Sequence, residues 1–378
     1  MKLSPMPEVA GGDLALPALD RYLSGHKARS VVIVTGPHVS KLPGFATLRG
    51  VCAQSGRAVA VFDRTQADPS LELARQAAAF AQDFGADAVV GVGGGSPLDT
   101  AKIVAALLTN SVKVEDLVGA DKVALPCAPL VAVPTTAGTG SEVTNVSVLT
   151  DTAANLKKAV LSDRLVPGLA LLLPELTLGL PPGTTAATGM DALCHASEAM
   201  LSKKRNPVSD ALAIGALERI VANLPKVIAN PSDLAARKAM LEASLMAGLA
   251  FNNSSVTAIH ACAYPLGGRF HVPHGLANSL MFAPVMRHNL ASEPGIFARL
   301  SRAVGGEGPE GFVPAVEAIR QKLPIPHTLR EAGIPEDSIE PMADDLMTID
   351  RLLSVNPAPI TRADAGRIFR EAFDGFCG

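Results

Sequence analysis

The sequence predicts two domains, in which an α/β half built on a parallel sheet precedes an all-helical half. Its 378 residues exceed what a single compact core usually holds. Before Pro182, short apolar runs alternate with amphipathic stretches, which is typical of a parallel α/β sheet. Beyond it, long Ala- and Leu-rich segments dominate. We therefore expect residues 1–182 and 183–378 to fold separately.

The first half contains four runs with strand character and two with helical periodicity. The predicted strands are Ser30–Thr35, Ala58–Phe62, Ala88–Val92 and Pro129–Val133. Leu71–Phe84 and Leu98–Leu108 are predicted helices. Glu142–Thr150, in which Val, Thr and Ser alternate, is predicted to be β-rich.

The second half contains long helical segments that end at Pro or Asn. The predicted helices are Ala186–Leu201, Val208–Ala229, Leu234–Ala250 and Gly275–Leu290. Pro181-Pro182-Gly183 is the expected hinge between the halves.

Composition excludes several classes of protein. The chain is 48% apolar and 18% charged, which favours a well-buried core over disorder. A net charge of −3 without a basic run argues against nucleic acid or an anionic membrane as a partner. The N-terminus lacks the pattern of a signal peptide, and the most apolar run, Leu169 to Leu180, is too short to span a bilayer. Widely spaced free thiols in a reducing cytoplasm best explain five cysteines without a CxxC pair: Cys52, Cys127, Cys194, Cys262 and Cys377.

A glycine-rich turn follows the predicted strand at Ala88–Val92. Gly93-Gly94-Gly95 permits close backbone approach, Ser96 is a predicted N-cap, and Pro97 suits the first helical position. Exposed N–H groups at such a helix start suit a pyrophosphate. The turn is neither a strict G-x-G-x-x-G nor a P-loop, so a tight, well-capped turn without a ligand remains an alternative.

A second loop, Pro134–Glu142, follows the next strand and should reach the same carboxyl edge of the sheet. Its hydroxyls suit phosphate or amide contacts. A purely structural Thr/Gly loop explains the composition equally well.

Asp191 and His195 stand four residues apart, so on a helix they share one face and can hold one ion. His260 and His274 bracket a Gly/Pro-rich stretch, but spacing alone does not show that the segments meet. Cys194 and Cys262 are alternative soft ligands, although helix geometry turns Cys194 away. One Asp and three neutral His suit Fe(II) or Zn(II) and leave the ion a Lewis acid.

Four motifs in this order make the chain resemble the iron-containing (group III) alcohol dehydrogenase family over nearly its whole length. They are Gly93–Lys102, Pro134–Thr144, Ala187–His195 and Pro273–Asn278. The resemblance implies a dehydroquinate-synthase-like fold, with a nucleotide-binding domain, a helical domain and a cleft between them.

The resemblance also implies roles for individual residues. The implied metal ligands are Asp191, His195, His260 and His274. The implied cofactor-binding residues are Gly36, Gly93, Gly94, Gly95, Ser96, Asp99, Thr135, Thr136, Thr139 and Lys158, of which Lys158 matches a lysine that reaches the ribose. Phe251 matches a position that lines the substrate pocket.

Two departures from the family pattern bear on substrate and cofactor. Tyr264 stands where many members carry a second histidine implicated in proton movement, so we assign Tyr264 a candidate catalytic role, with a core aromatic as the alternative. Gly36 stands where NAD-using members often carry an Asp that repels a 2′-phosphate. We therefore expect NADP to be tolerated or preferred over NAD.

The implied function is a metal-dependent, NAD(P)-linked alcohol dehydrogenase, or aldehyde and ketone reductase, acting on a small molecule. The alternatives are maleylacetate-reductase-like activity, against which the intact Asp/His set argues, and hydroxyacid–oxoacid transhydrogenase activity. A metal- or nucleotide-binding module without turnover is the alternative outside enzymes. The family also implies a homodimer, which we place at the Glu142–Thr150 region.

Overall fold

Contacts within the chain divide it into two units between Gly179 and Leu180, close to the boundary expected at residue 182. The computed structural model describes residues 3–152 and 156–375, so Cys377 lies outside the described residues. The α/β fold of the first unit and the helical fold of the second confirm the predicted fold class.

The described part of the first unit contains two sheets. Its strands are β1 Glu8–Gly11, β2 Ser30–Thr35, β3 Ala58–Phe62, β4 Ala88–Gly93, β5 Gly119–Ala120, β6 Leu130–Pro134, β7 Val146–Asp151, β8 Leu156–Leu161 and β9 Leu169–Leu172. The larger sheet has the order β1-β9-β6-β4-β2-β3, and every neighbouring pair in it is parallel. The smaller sheet has the order β5-β8-β7, with β7 antiparallel to β8.

Four helices cover the two faces of the larger sheet: α1 Ala15–Gly25, α2 Pro43–Cys52, α3 Leu71–Phe84 and α4 Gly95–Leu107. Successive β2 residues alternate between the faces, as the two-residue period of a strand requires. Val31 and Ile33 pack in the core that includes α1 and α2. Val32 and Val34 pack in the core that includes α3 and α4. This sandwich leaves the loops after the strands at the sheet's carboxyl edge.

Local signals were accurate where caps and apolar runs were clear. The structure places β2, β3 and α3 at the predicted bounds. Ser70 accepts a bond from the Leu73 N–H at the start of α3, and Gly85 ends that helix in the left-handed conformation.

Two predictions in the first unit were wrong in detail. Helix α4 starts at Gly95 with Gly94 as its N-cap, so Ser96 lies inside the first turn. The predicted β-rich segment begins with a 3-10 turn at Ser141–Val143, and strand β7 follows it. The short strands β1 and β9 and helices α1 and α2 were not predicted.

Within the described residues, all regular structure of the second unit is helical. Its helices are α5 Pro182–Leu201, α6 Pro207–Ala229, α7 Leu234–Asn252, α8 Ala258–Phe270, α9 His274–Leu290, α10 Pro294–Ala303, α11 Phe312–Arg320, α12 Ile339–Leu346, α13 Asp350–Leu353 and α14 Arg362–Asp374. Helix α5 is buried continuously over residues 189–201 and packs against α6, α7 and α9. This burial explains why α5 shows little amphipathic pattern.

The sequence does not predict helix α8, because Pro265, Gly267 and Gly268 lie within it. It is nonetheless helical from Ala258 to Phe270, with Pro265 inside it. Within the described ranges, the structure contains no helix with the length and apolar character that a membrane span requires.

Candidate metal centre and cofactor loops

Four side chains that the sequence singled out converge in the helical unit. Helix α5 carries Asp191 and His195, α8 carries His260 near its start, and α9 begins with His274. One nitrogen or carboxylate oxygen from each residue lies within 4.8 Å of those of the other three. Packing of α5 against α8 and α9 therefore creates the juxtaposition that spacing left open.

The cluster is buried on one side and open on the other. Asp191, His195 and His260 are buried, whereas the His274 side chain is 46% exposed. Burial lowers the pKa of His195 to about 4, so its imidazole is neutral at physiological pH. Burial alone would raise the pKa of Asp191, but the three neighbouring imidazoles bring it below its usual value. A neutral imidazole and an ionised carboxylate are the forms that bind a metal.

Stacked rings fix the orientation of the imidazoles. The His195 ring lies 4.4 Å from the Phe251 ring and 4.6 Å from the His260 ring, both in stacked geometry. The His260 and His274 centroids are 5.2 Å apart. Phe251 is thus a half-buried wall of the cluster, and its contact with substrate stays a prediction.

Sequence reasoning missed Asn278, which lies one turn after His274 on α9. Its Nδ2 lies 2.7 Å from Asp191 Oδ1, 3.1 Å from His260 Nε2 and 3.2 Å from His274 Nε2. Its Oδ1 is buried and has no hydrogen-bond partner. The spacing His-x-x-x-Asn on a helix was the available signal.

Sequence reasoning also missed Glu198, which lies three residues after His195 on α5. Its side chain is fully buried, and Oε2 contacts Nδ1 of His260. Cys194 and Cys262 do not join the cluster. The buried Cys194 thiol donates to the Asn278 backbone carbonyl at 3.6 Å, and burial raises the pKa of both thiols.

The donor set fits a divalent transition ion. Three imidazoles and one carboxylate approach one another closely enough to share an ion, and the half-exposed His274 side leaves access for a further ligand. Asn278 Oδ1 is buried beside this cluster without a hydrogen-bond partner from the protein, which also indicates a site that binds a further group.

Tyr264 lies one turn after His260 on α8 and outside the four-residue cluster. Burial raises the pKa of its phenol, while a hydrogen bond to Arg351 of α13 opposes that rise. The phenol is consequently neutral at physiological pH.

In the first unit, the two predicted loops pack against each other. Gly93 has φ +154°, and the Thr135 N–H donates to the Gly93 carbonyl at 2.9 Å. A Cβ added at Gly94 would lie 3.2 Å from Thr136 Oγ1, and one at Gly95 would lie 2.9 Å from Thr139 Cγ2. A side chain at Gly94 or Gly95 would therefore press on the threonine loop. Because Pro97 has no N–H, Gly95 and Ser96 supply the first N–H groups of α4.

Asp99 joins these loops through bonds within the protein. Its Oδ1 accepts from Ser141 Oγ at 2.6 Å and its Oδ2 accepts from the Val148 N–H at 2.8 Å. Contact between Asp99 and a cofactor stays a prediction, and its observed role is to attach the second loop to α4.

A buried lysine and a buried glutamate lie beside Asp99. Burial lowers the pKa of Lys102 to about 8, and its ammonium donates to Thr144 Oγ1 at 3.1 Å and the Val146 carbonyl at 2.8 Å. Burial raises the pKa of Glu142 to about 7, and its Oε1 is buried without a hydrogen-bond partner. Lys102 and Glu142 lie next to the two loops, and the sequence did not predict this buried charged pair.

The two remaining predicted cofactor residues lie in the same unit. Gly36 is buried directly after β2, and a Cβ there would lie 3.0 Å from the Thr65 carbonyl oxygen. Lys158 is half-buried on β8, opposite Leu149 of β7. Contact of either residue with a cofactor stays a prediction.

Two family models match the chain. One described as "Iron-containing alcohol dehydrogenase" matches residues 7–174, and one described as "Fe-containing alcohol dehydrogenase family, C-terminal" matches residues 185–373.

Individual proteins are similar over almost the full length. The chain is 39% identical to Long-chain-alcohol dehydrogenase 1 of Geobacillus thermodenitrificans over 95% of this chain and 94% of that protein. An alcohol dehydrogenase from Oenococcus oeni has a TM-score of 0.94 and 32% identity, covering 97% of this chain and 99% of the other. A sulfoacetaldehyde reductase from Bifidobacterium kashiwanohense, in complex with NAD+, has a TM-score of 0.90 and 29% identity, with 98% of each chain covered.

Proposed function

This chain belongs to the iron-containing alcohol dehydrogenase family, and on that premise we propose that it is an NAD(P)-linked oxidoreductase that interconverts alcohols with aldehydes or ketones. The single observation that carries the proposal is the convergence of Asp191, His195, His260 and His274 on one centre. A small-molecule substrate follows from the same family membership.

We propose that these four side chains hold a divalent ion, with Fe(II) favoured by the family and Zn(II) suited to the same donors. Such an ion supplies Lewis acidity that lowers the pKa of an alcohol hydroxyl, and a nicotinamide accepts the hydride. The chain's own residues supply alignment. Phe251 and His260 hold the His195 ring between them by stacking.

The loops of the first unit support a cofactor site. The Gly95 and Ser96 N–H groups at the start of α4 suit a pyrophosphate, and the hydroxyls of Thr135, Thr136 and Thr139 lie on the adjoining loop. Lys158 is the proposed ribose contact.

We also propose that NADP(H) is accepted. Gly36 offers no carboxylate to repel a 2′-phosphate, and a cavity of about 680 Å³ next to it is lined by Pro37 and by the exposed cation Arg64. Three acids also line this cavity: Asp68 is paired with Lys157, Glu72 is paired with Arg75, and Asp63 is an exposed carboxylate next to Arg64 in the chain. Comparison of kcat/KM for the two cofactors tests this, and a strong preference for NAD would overturn it.

The structure gives Gly36 a second explanation, because any side chain there would press on the Thr65 carbonyl. Gly36→Asp and Gly36→Ala separate the two. If charge decides, kcat/KM for NADP(H) falls further in the Asp variant than in the Ala variant. If the steric contact decides, kcat/KM falls equally for NAD(H) and NADP(H) in both variants.

We propose that Tyr264 donates a hydrogen bond to the substrate or to a relay water, since burial raises its pKa and keeps the phenol protonated at physiological pH. At the end of α7, Asn253 and Ser254 donate to the Leu249 and Ala250 backbone carbonyls, both at 2.9 Å. They act as helix caps.

The homodimer also remains a proposal. The placement of β7 at an edge of its sheet supports pairing through the Glu142–Thr150 region. Light scattering of the purified protein tests it. Residence in the cytoplasm stays a prediction from the sequence.

The decisive experiment is a panel of primary alcohols, diols, hydroxy acids and the corresponding carbonyl compounds, assayed with NAD(H) and NADP(H). We expect turnover that a chelator abolishes and that added Fe(II) or Zn(II) restores. Stoichiometric metal binding without turnover on any substrate would instead identify a binding module.

A further inference from the structure

Glu198 is a fully buried acidic side chain that is not one of the four proposed metal ligands. It lies on α5, on the stretch from residue 189 to 201 that is buried throughout. Burial of such a group is costly unless its oxygens are well bonded. We therefore expect each Glu198 oxygen to have a hydrogen-bond partner.

All of those partners belong to the start of α8. Oε1 accepts from Thr257 Oγ1 at 2.8 Å and from the Ile259 N–H at 2.7 Å, and Oε2 contacts His260 Nδ1. The first N–H groups of a helix have no partner within the helix. Thr257 is the N-cap of α8 but makes no capping bond with its own side chain. Glu198 thus caps α8 from a neighbouring helix and binds the His260 ring at the same time.

The contact with Nδ1 determines which nitrogen of His260 faces the cluster. When Nδ1–H donates to Glu198, Nε2 keeps its lone pair. His260 Nε2 lies 4.0 Å from Asp191 Oδ1 and 3.1 Å from Asn278 Nδ2, within the cluster. The lone pair therefore lies on the side where the other proposed ligands converge.

We propose that Glu198 is a positioning residue of the metal centre, which holds His260 as the Nδ1–H tautomer and orients Nε2 toward the ion. This inference rests on the proposed metal site. A carboxyl group behind a ligating imidazole fixes the ring and strengthens its donor nitrogen, and loss of such a partner typically weakens metal binding by about 10- to 100-fold.

The test uses the full chain with Glu198→Gln, which preserves side-chain shape. The glutamine carbonyl oxygen can still accept from Thr257 and Ile259, but its NH2 group then faces Nδ1 and favours the Nε2–H tautomer. We expect Zn(II) affinity, measured by competition with a chelator, to fall by about 10- to 100-fold. Glu142→Gln makes the same substitution at a buried glutamate of the other unit, and it should leave metal affinity unchanged.

A second measurement follows the tautomer without metal or turnover. With ¹⁵N-labelled histidine and the metal removed, the ¹⁵N chemical shifts of His260 should report Nδ1–H in the wild type and Nε2–H in Glu198→Gln. A merely structural role would lower the thermal midpoint and leave both the tautomer and the metal affinity at 25 °C unchanged.

The outcomes separate this inference from the proposed function. Failure of the wild type to bind metal would overturn the metal site itself. Tight binding by the wild type and equally tight binding by Glu198→Gln would overturn the role of Glu198 alone. If Glu198→Gln does not fold, the wild-type tautomer decides, because Nε2–H in that spectrum contradicts the proposal.

Discussion

Glu142 in the α/β unit and Glu198 in the helical unit are both buried, but their surroundings differ. Both oxygens of Glu198 have partners on α8, and one of those partners is a proposed metal ligand. Glu142 has one oxygen without a partner, and burial raises its pKa to about 7. A fully bonded buried carboxyl can orient a neighbouring side chain, whereas burial of the partly bonded Glu142 favours its neutral form and makes the protein less stable as pH rises.

The largest effect is expected from removing the group that Glu198 orients. His260→Ala should lower metal affinity and kcat/KM by at least about 1000-fold, or about 4 kcal/mol, because a ligand is lost. Metal analysis and steady-state kinetics measure both.

His271→Asn is the matched control, since His271 is an exposed histidine just beyond α8 and has a left-handed backbone that Asn tolerates. Equal losses in the two variants would show that the cluster has no special role.

The second largest effect is expected on stability, from a change at Gly93 in the glycine-rich turn of the α/β unit. Gly93→Ala should destabilise the protein by about 4 kcal/mol, because φ is +154° and the new Cβ would lie 2.5 Å from Pro97 Cγ. Calorimetry measures the shift.

Gly50→Ala is the control, and it should change stability in the opposite direction. Gly50 lies inside α2 with no atom within 4 Å of an added Cβ, so alanine should stabilise by about 0.5 to 1 kcal/mol. Destabilisation by both variants would indicate a general intolerance of the unit to change.

The pH dependence of Glu142 is the third expected effect. A carboxyl whose pKa is raised from 4.5 to about 7 on folding stabilises the protein below 4.5 and loses that contribution as pH rises through 7. Glutamine does not titrate. Relative to Glu142→Gln, the wild type should therefore lose stability on the order of 3 kcal/mol across this interval.

Thermal midpoints at pH 5 and pH 8 measure this difference. The advantage of Glu142→Gln over the wild type should grow with pH, and a gap that stays constant contradicts the assignment. The Glu142 carboxylate also raises the pKa of Lys102, so part of the difference near pH 8 belongs to Lys102.

The smallest effect is expected at Tyr264. Tyr264→Phe removes a hydrogen bond to Arg351 and should lower kcat/KM about fivefold, or about 1 kcal/mol. Because the phenol is neutral at physiological pH, the shape of the pH–rate profile below pH 9 should not change. Loss of a titration step in Tyr264→Phe would instead assign proton transfer to the phenol.

The sequence was informative where one segment carried its own signal. Asp191 and His195 share a helix face at a spacing of four, and Ser70 and Gly85 mark the ends of α3. The start of α4 was misplaced because Ser96-Pro97 has the residue preferences of a cap, although Gly94 occupies that position.

Features that depend on packing between helices were not predictable. The approach of His260 and His274 to α5 rested on family motifs alone, because no local pattern encodes contact between segments. Glu198 and Asn278 follow ligands at helical spacing, but an acidic or amide residue there is usually solvent-exposed. Only the packed structure shows that both side chains face the cluster.

The interlocking of Gly94 and Gly95 with Thr136 and Thr139 has an evolutionary consequence. Two segments some forty residues apart in the chain share one small volume, so a larger side chain on one presses on the other. Descendants of this chain can gain bulk on one loop only after losing it on the other. Substitutions at these four positions should therefore be inherited as compensating pairs, with the order of events fixed by size.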